Sequence, residues 1–275
     1  MRENLLAALA WQVDLGADEA IAETPIDRFA AAMTPAPPPA PVPATPRGSD
    51  PSRGTPDLAR HGPVEATPAR DSPAALAAGA ASLDALARTM AAWEGSDLRQ
   101  GARNFVFADG RPGAPLMIIG EAPGADEDRQ GKPFVGRAGQ LLDRMLAAIG
   151  LDRQADDLAK AAYITNILPW RPPGNRTPSE AEVAQFLPFV ERHIALAGPR
   201  VLFTIGNTPT KALLSTTTGI KRMRGNWARH PASGLPLLPS FHPAYLLRQP
   251  LETRLAWLDL QSLAAVLDGR ETPPL

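Results

Sequence analysis

The sequence contains no cysteine among its 275 residues. Disulfide bonds, thiolate-bound zinc and cysteine-ligated iron–sulfur clusters are therefore excluded, because each of them needs a thiolate sulfur. Histidine is scarce as well, and the four histidines are His61, His193, His230 and His242. No two of them have the close spacing of a metal-binding pair, which argues against a metal centre built from histidine.

Long apolar runs and an excess of one charge are also missing. No run approaches the roughly 20 apolar residues that cross a bilayer, and the N-terminal stretch MRENLLAALAWQVDLG has no clear cleavage site. We therefore expect a cytoplasmic protein without a signal peptide or a membrane partner. The formal net charge is −1, so binding to nucleic acid would require a local basic surface.

The composition divides the chain into three parts. Residues 1–33 place apolar side chains at helical spacing between Leu5 and Val13, which predicts a short helical segment. We favour its docking on the main domain over a role as a partner-binding peptide. Residues 34–72 form a Pro/Ala-rich linker, predicted to be extended and disordered because proline removes backbone donors and large apolar residues are few. Residues 73–275 are predicted to form the folded domain.

The folded part alternates between strand and helix patterns. Short apolar runs predict buried strands at residues 116–120, 162–167, 201–206 and 235–241. Helical patterns follow at residues 136–149, 178–194, 208–214 and 252–267, and one further helix is predicted from Ser72 to about Gly95. Strands that alternate with helices indicate an α/β fold with parallel strands and right-handed crossovers.

Two common enzyme classes lack their motifs. The stretch Gly131-Lys132-Pro133 has proline where a phosphate-binding loop needs Ser or Thr, and no GxGxxG follows a strand. The Gly-x-Ser-x-Gly elbow of α/β-hydrolases is absent too. A nucleotide-dependent enzyme and a serine hydrolase are therefore poorly supported.

Three polar residues stand at the ends of predicted strands. Glu121 follows the first strand, Asn166 ends the second, and His242 follows the fourth. Each has a structural explanation, since they could cap a helix, close an Asx turn or satisfy a backbone carbonyl. Because the carboxyl ends of parallel strands meet at one edge of a sheet, their combination instead predicts a shared crevice.

These residue types suit the recognition and removal of a base. The Asn166 amide can accept from and donate to the imide edge of uracil, and Phe134 can stack on a planar ring. The His242 imidazole can stabilise an oxyanion on a departing base. The Glu121 carboxylate can position water. Such a set fits an enzyme that flips a base out of DNA.

DNA contacts are predicted outside this crevice. Leu246 is a candidate apolar wedge beside the flipped base. Basic residues in several loops are candidate phosphate ligands, and they are Arg137, Arg171, Arg176, Lys221, Arg222, Arg224 and Arg248. A DNA-binding protein of near-zero net charge needs such a local patch, because phosphate neutralisation supplies much of the affinity.

Three motifs together resemble the family 4 uracil-DNA glycosylases. They are GEAPGADEDRQGKPFVGRAG, YITN followed by RPPGNRTP, and FHPAYLLR, and the resemblance runs from about Trp93 to Leu267. It implies a three-layer α/β/α sandwich around a parallel four-stranded sheet. It also implies hydrolysis of the N-glycosidic bond of deoxyuridine in single- or double-stranded DNA, as part of base-excision repair. We expect a monomer.

The resemblance also implies a role for individual residues. Glu121 takes the place of the first catalytic carboxylate, Glu127 the second, and His242 the histidine of the last motif. The implied uracil-contacting positions are Ala122, Phe134 and Asn166. Leu246 occupies the position of the wedge.

The sequence departs from that family at the iron–sulfur cluster. The family normally holds a four-iron cluster with four cysteines, and the matching positions here are Trp93, Ser96, Trp170 and Phe186. We interpret the aromatic side chains as filling the volume of the cluster, and we predict no cofactor. Ala244 stands where the family usually has serine, which removes a hydroxyl contact to phosphate. The related branch that traps uracil covalently has a reactive histidine after the second strand, and RPPGNRTP contains none, so we expect turnover without a covalent adduct.

Two alternatives stay open from the sequence. One is a non-catalytic module that binds DNA or a lesion, or assists a polymerase. The other is a glycosylase with broader specificity for deaminated bases such as hypoxanthine and xanthine. The presence of Glu121, Asn166 and His242 favours an active enzyme over the first alternative.

Overall fold

The computed structural model of the chain describes residues 72–273. The predictions for residues 1–33 and for nearly all of the Pro/Ala-rich linker lie outside these residues. The strands are β1 (Ala108–Gly110), β2 (Leu116–Gly120), β3 (Ala162–Asn166), β4 (Val201–Ile205), β5 (Ala228–Arg229) and β6 (Pro236–Ser240). The helices are α1 (Pro73–Gly79), α2 (Leu83–Ala92), α3 (Leu98–Gly101), α4 (Ala125–Gln130), α5 (Arg137–Ala147), α6 (Glu180–Ala197), α7 (Asn207–Leu214), α8 (Ile220–Met223), α9 (Pro243–Arg248) and α10 (Thr253–Leu267).

The strands form one sheet in the order β1-β3-β2-β4-β6-β5. The inner strands β3, β2, β4 and β6 are parallel, which confirms the four predicted strands. The sequence missed β1 and β5, which pair antiparallel at the two edges. These edge strands are two or three residues long and are not fully buried, so no apolar run marks them.

Helices cover both faces of the sheet. Strand β2 is buried along its whole length, and its alternate residues enter two separate apolar clusters. Met117 and Ile119 pack with side chains of α1, α2 and α6. Leu116 and Ile118 pack with side chains of α5, α9 and α10. This arrangement is the predicted three-layer α/β/α sandwich.

The predicted helix from Ser72 to Gly95 is two helices, and the single-helix prediction was wrong. Ser72 caps α1 by accepting a hydrogen bond from the Ala75 amide at 3.2 Å. Ser82 then caps α2 by accepting from the Ala85 amide at 3.2 Å. Serine is favoured at such caps because its oxygen satisfies an amide that has no partner inside the helix. A continuous apolar stripe did not reveal this break.

The connections after β2 determine where a crevice forms. The chain runs from β2 to β3 on one side and later places β4 on the other side. Loops that leave the carboxyl ends of neighbouring strands in opposite directions open a crevice between them, where ligands bind in open α/β sheets. Within residues 72–273, no helix has the length and apolar character needed to cross a membrane.

Candidate active site

A cleft of about 510 Å³ lies at the carboxyl ends of the parallel strands. Its walls come from the loop after β2, the end of β3, residues 172–177, the start of α7, and α9. The structure brings together in this cleft the predicted residues Glu121, Ala122, Glu127, Phe134, Asn166, Arg176, His242 and Arg248.

Asn166 forms the floor of the cleft and carries an unsatisfied polar atom. The residue is 5% exposed, and its buried Oδ1 has no hydrogen-bond partner among the described residues. Leaving a buried acceptor unpaired costs about 1–3 kcal/mol. A side chain at Gly120 would overlap both the Asn166 amide and the Phe134 ring, so glycine is required beside them. The amide is therefore ready to accept a donor from a ligand.

Phe134 lies next to this amide. The residue is 5% exposed, and its backbone has φ of +54°. Its ring centroid is 5.6 Å from that of His242, with an angle of 35° between the ring planes. The ring thus forms one wall of a narrow slot suited to a flat ligand.

Glu121 is oriented by a residue that the sequence did not single out. The Thr208 hydroxyl, at the start of α7, donates to Glu121 Oε2 at 2.5 Å. This bond fixes the carboxylate and leaves Oε1 without a hydrogen-bond partner in the described part of the chain. Thr208 is 87 positions away along the chain, and a threonine in the first turn of a helix carries no motif, so no sequence signal pointed to it.

Glu127 binds the backbone of its own loop. Its Oε2 accepts from the Gly124 amide at 3.1 Å, and its Oε1 accepts from the amides of Val135 at 3.0 Å and Gly136 at 2.9 Å. The sequence indicated an acidic cluster here, but these residues form α4. The carboxylate joins the start of α4 to the turn before α5.

His242 caps α9 and stays neutral. Its Nδ1 accepts from the Ala244 amide at 3.1 Å, which leaves the proton of the neutral ring on Nε2. Burial lowers the pKa of His242 to about 4, and the positive charge of Arg248 adds to this shift while Glu127 opposes it. A neutral imidazole that donates from Nε2 is therefore the form present near pH 7.

The basic residues differ in how far they are already paired. Arg137 and Arg248 are exposed, and neither forms a salt bridge within residues 72–273. The Arg171 Nε donates to Asn175 Oδ1 at 2.7 Å. Arg176 forms a bidentate pair with Glu182 at 2.6 and 2.8 Å. Lys221 and Arg222 are exposed as well and form no salt bridge among the described residues. The basic residues most available for a phosphate are thus Arg137, Lys221, Arg222 and Arg248, and of these Arg248 lines the cleft.

Two predicted DNA contacts are already engaged within the fold. Arg224 pairs with Asp259, which is 1% exposed, and donates to the Leu255 carbonyl at 3.0 Å. That guanidinium is therefore bound within the fold. Leu246 is 2% exposed and packs in the core, so its side chain does not project as a wedge. The neighbouring Leu247 is 39% exposed.

The four positions that match cluster cysteines are occupied by a packed interior. The Trp93 and Phe186 rings meet edge to face at 5.4 Å between centroids, and Trp170 lies 5.0 Å from Phe105. Ser96 is buried, and its Oγ has no partner among the described residues. Carbon rings and one hydroxyl do not ligate iron as thiolates do, so these residues do not fit the cluster. Within residues 72–273, no group of acidic or histidine side chains is arranged to hold a metal.

The fold and the cleft define a class: an α/β protein with a base-sized slot at the switch point of its parallel sheet. The family model described as the uracil DNA glycosylase superfamily matches residues 107–261, and the chain belongs to that family. This result confirms the resemblance found in the motifs.

The chain is similar in sequence to several curated type-4 uracil-DNA glycosylases. It is 37% identical over 155 residues to the type-4 uracil-DNA glycosylase of Sulfurisphaera tokodaii, covering 54% of this chain and 67% of that protein. It is 34% identical over 179 residues to the type-4 uracil-DNA glycosylase of Archaeoglobus fulgidus, covering 62% of this chain and 85% of that protein. A type-4 uracil-DNA glycosylase of Pyrobaculum aerophilum is 37% identical over 154 residues, covering 54% and 76%.

Proposed function

We propose that this protein is a uracil-DNA glycosylase that hydrolyses the N-glycosidic bond of deoxyuridine in DNA and acts in base-excision repair. The observation that carries the proposal is the buried, unpartnered Oδ1 of Asn166 beside the Phe134 ring. The names of its relatives support the same activity.

Recognition follows from the amide and the ring. A flipped uracil stacks on Phe134 and presents N3–H and O4 to Asn166, whose Oδ1 accepts and whose Nδ2 donates. Cytosine presents an acceptor at N3 and an amino group at C4. Its acceptor would therefore face the acceptor Oδ1 of Asn166, and its amino donor would face the donor Nδ2. The site therefore discriminates by leaving polar groups unpaired when cytosine enters.

Hydrolysis follows from His242 and Glu121. The C1′–N1 bond breaks with its electron pair moving onto the uracil ring, where the neutral Nε2–H of His242 donates to the anionic O2. The carboxylate of Glu121 stabilises the cationic sugar and orients a water, whose oxygen bonds to C1′. The proton released by that water neutralises the uracil anion. The products are free uracil and an abasic site.

The DNA backbone is assigned to the rim of the cleft. Arg176 and Arg248 line the cleft, and we assign them to phosphates beside the flipped nucleotide, together with Arg171 and the exposed Arg137. The exposed Leu247 takes the wedge position in place of Leu246. The aromatic packing at Trp93, Trp170 and Phe186 supports activity without an iron–sulfur cluster.

The test is base release from a labelled oligonucleotide that carries one uracil, in single- and double-stranded form and with EDTA present. We expect strand cleavage after alkali with the wild type and a loss of at least about a hundredfold in Asn166→Ala and His242→Ala. Asn166→Asp should narrow the preference for uracil over cytosine, because a carboxylate cannot donate to O4.

Three other outcomes would change the proposal. Folded wild type that binds DNA but releases neither uracil, hypoxanthine nor xanthine would overturn the proposal in favour of a binding module. Release of hypoxanthine or xanthine at rates comparable to uracil would replace uracil specificity with a broader one. Activity unchanged in Asn166→Ala would remove the assigned pocket.

A further inference from the structure

We propose that Arg153 is a positioning residue that holds the base-stacking ring of Phe134 in place before DNA binds. The inference rests on the proposed function for the identity of the stacked base. It rests on the structure alone for the contact between Arg153 and the loop. Arg153 lies 19 positions after Phe134 and belongs to no motif, so no sequence pattern pointed to it.

Arg153 is buried and its donors are fully used. The residue is 6% exposed. Its Nη1 donates to the Pro133 carbonyl at 3.0 Å, and its Nη2 donates to the Phe134 carbonyl at 3.0 Å. The remaining donors bind Asp143 on α5 at 2.8 Å from Nε, and Asp109 on β1 at 3.2 Å from Nη1. A buried cation is tolerated where its charge is paired and its donors are all satisfied, as they are here.

The backbone at Phe134, whose carbonyl accepts from Arg153, is strained. Phe134 has φ of +54°, in the left-handed region that non-glycine residues avoid. Such a conformation persists only when the surroundings fix it from several sides. Arg153 binds the carbonyl side of this turn, while Glu127 binds the amides of Val135 and Gly136 that follow. Together, Arg153 and Glu127 bind both the carbonyl groups and the amide groups of this turn.

Helix α5 also packs against the Phe134 backbone. A Cβ at Gly139 would overlap the Phe134 carbonyl, so the helix packs directly against the same peptide. With the backbone held in this way, the Phe134 ring is fixed over Gly120 and beside Asn166. A base that enters then meets a surface already in place, and binding does not have to order the ring.

The experiment compares Arg153→Lys with Arg192→Lys. Lysine keeps the positive charge between Asp109 and Asp143 but lacks the planar fork that reaches two carbonyls at once. Arg192 is the matched control, because its Nε and Nη2 also bind a carbonyl, that of Ala80, at 2.9 and 2.7 Å. Arg192 lies outside the cleft lining.

Two readouts separate positioning from general stability. Without DNA, amide hydrogen exchange at residues 134–136 should speed up about tenfold or more in Arg153→Lys and stay unchanged in Arg192→Lys. With uracil-containing DNA, KM and the inhibition constant of free uracil should rise about tenfold, with a smaller change in kcat, because the ring contributes to ground-state and transition-state binding alike.

The outcomes distinguish this inference from the proposed function. Exchange, KM and uracil inhibition in Arg153→Lys that match those of Arg192→Lys would overturn the positioning role. A wild type without base release would overturn the proposed function, while the exchange measurement would still decide whether Arg153 holds the loop.

Discussion

A single side chain, His242, caps a helix and lines the cleft. Its Nδ1 accepts from the Ala244 amide, and this leaves Nε2–H as the donor to the uracil oxygen in the proposed reaction. The cap and the donor function therefore depend on the same neutral form. Protonation at Nδ1 would remove the acceptor for the Ala244 amide. It would therefore break the helix cap and move the imidazole ring at the same time.

The pKa of His242 can be measured directly. We expect the NMR titration of its ring to have a midpoint near pH 4, since burial and Arg248 lower the pKa to about that value. Because the lowered pKa keeps the ring neutral above pH 5, base release should show no loss from this group between pH 8 and pH 5. Arg248→Ala should raise the midpoint. A midpoint near the ordinary value of about 6.5 would contradict the neutral-donor role.

The sequence predicted that Glu121, Asn166 and His242 share one crevice, and the structure places them in one cleft, but the sequence did not show the contacts that each residue makes. Glu121, Asn166 and His242 were predictable because strand ends converge at one edge of a parallel sheet. The division of labour between Glu121 and Glu127 was not, because it depends on whether a carboxylate meets Thr208 or three backbone amides. Partners that lie far apart along the chain leave no local pattern.

At the scale of elements, an aromatic interior lies beneath α2 and α6, at positions that the resemblance assigns to cluster cysteines. Phe186 on α6 is fully buried and touches both Trp93 and Phe189. These contacts join α2 to α6 on one face of the sheet. Their contribution is the burial of large rings in a close-packed layer.

Phe186→Ala should lower the free energy of unfolding by about 3–5 kcal/mol, because it removes a ring from a site that cannot collapse freely. Since Phe186 does not line the cleft, the folded variant should keep the wild-type rate of base release. Urea unfolding measures the first quantity, and Trp257→Ala, at a residue 40% exposed, is the control with a smaller loss. A loss below about 1 kcal/mol would show that this interior is not tightly packed.

Element boundaries show where pattern reasoning succeeds and fails. The parallel strands and the helices α5, α7 and α10 were predicted within two residues at either end, because each has a clear apolar period. Strands β1 and β5 are short edges without such a period. Helix α4 was hidden because its six residues are mostly charged, and Glu127 stabilises it through the Gly124 amide.

At the scale of the whole molecule, a chain of net charge −1 has to concentrate its positive charge where DNA lies. Arg248 at the end of α9 and Arg137 at the start of α5 stand exposed near the slot. Arg224 and Arg153, in contrast, are bound to buried or partly buried carboxylates. The count of basic residues therefore overstates the number that can bind phosphate.

Arg248→Ala should weaken DNA binding and reduce the slope of log K against log salt concentration by about 0.7 on single strands or 0.9 on duplex. Fluorescence anisotropy at several salt concentrations measures this slope with uracil-containing and uracil-free DNA alike. Arg270→Ala removes an exposed arginine paired with Asp268 and should leave the slope unchanged. An equal effect of both substitutions would show that the contribution is not local.

The left-handed backbone at Phe134 sets two requirements on this residue against each other, namely low backbone strain and a large aromatic side chain. Glycine would relax this turn, yet it would also remove a ring that is buried in the core and that meets the base in the proposed reaction. Mutations that stabilise the rest of the molecule therefore widen the freedom to keep an unfavourable residue here.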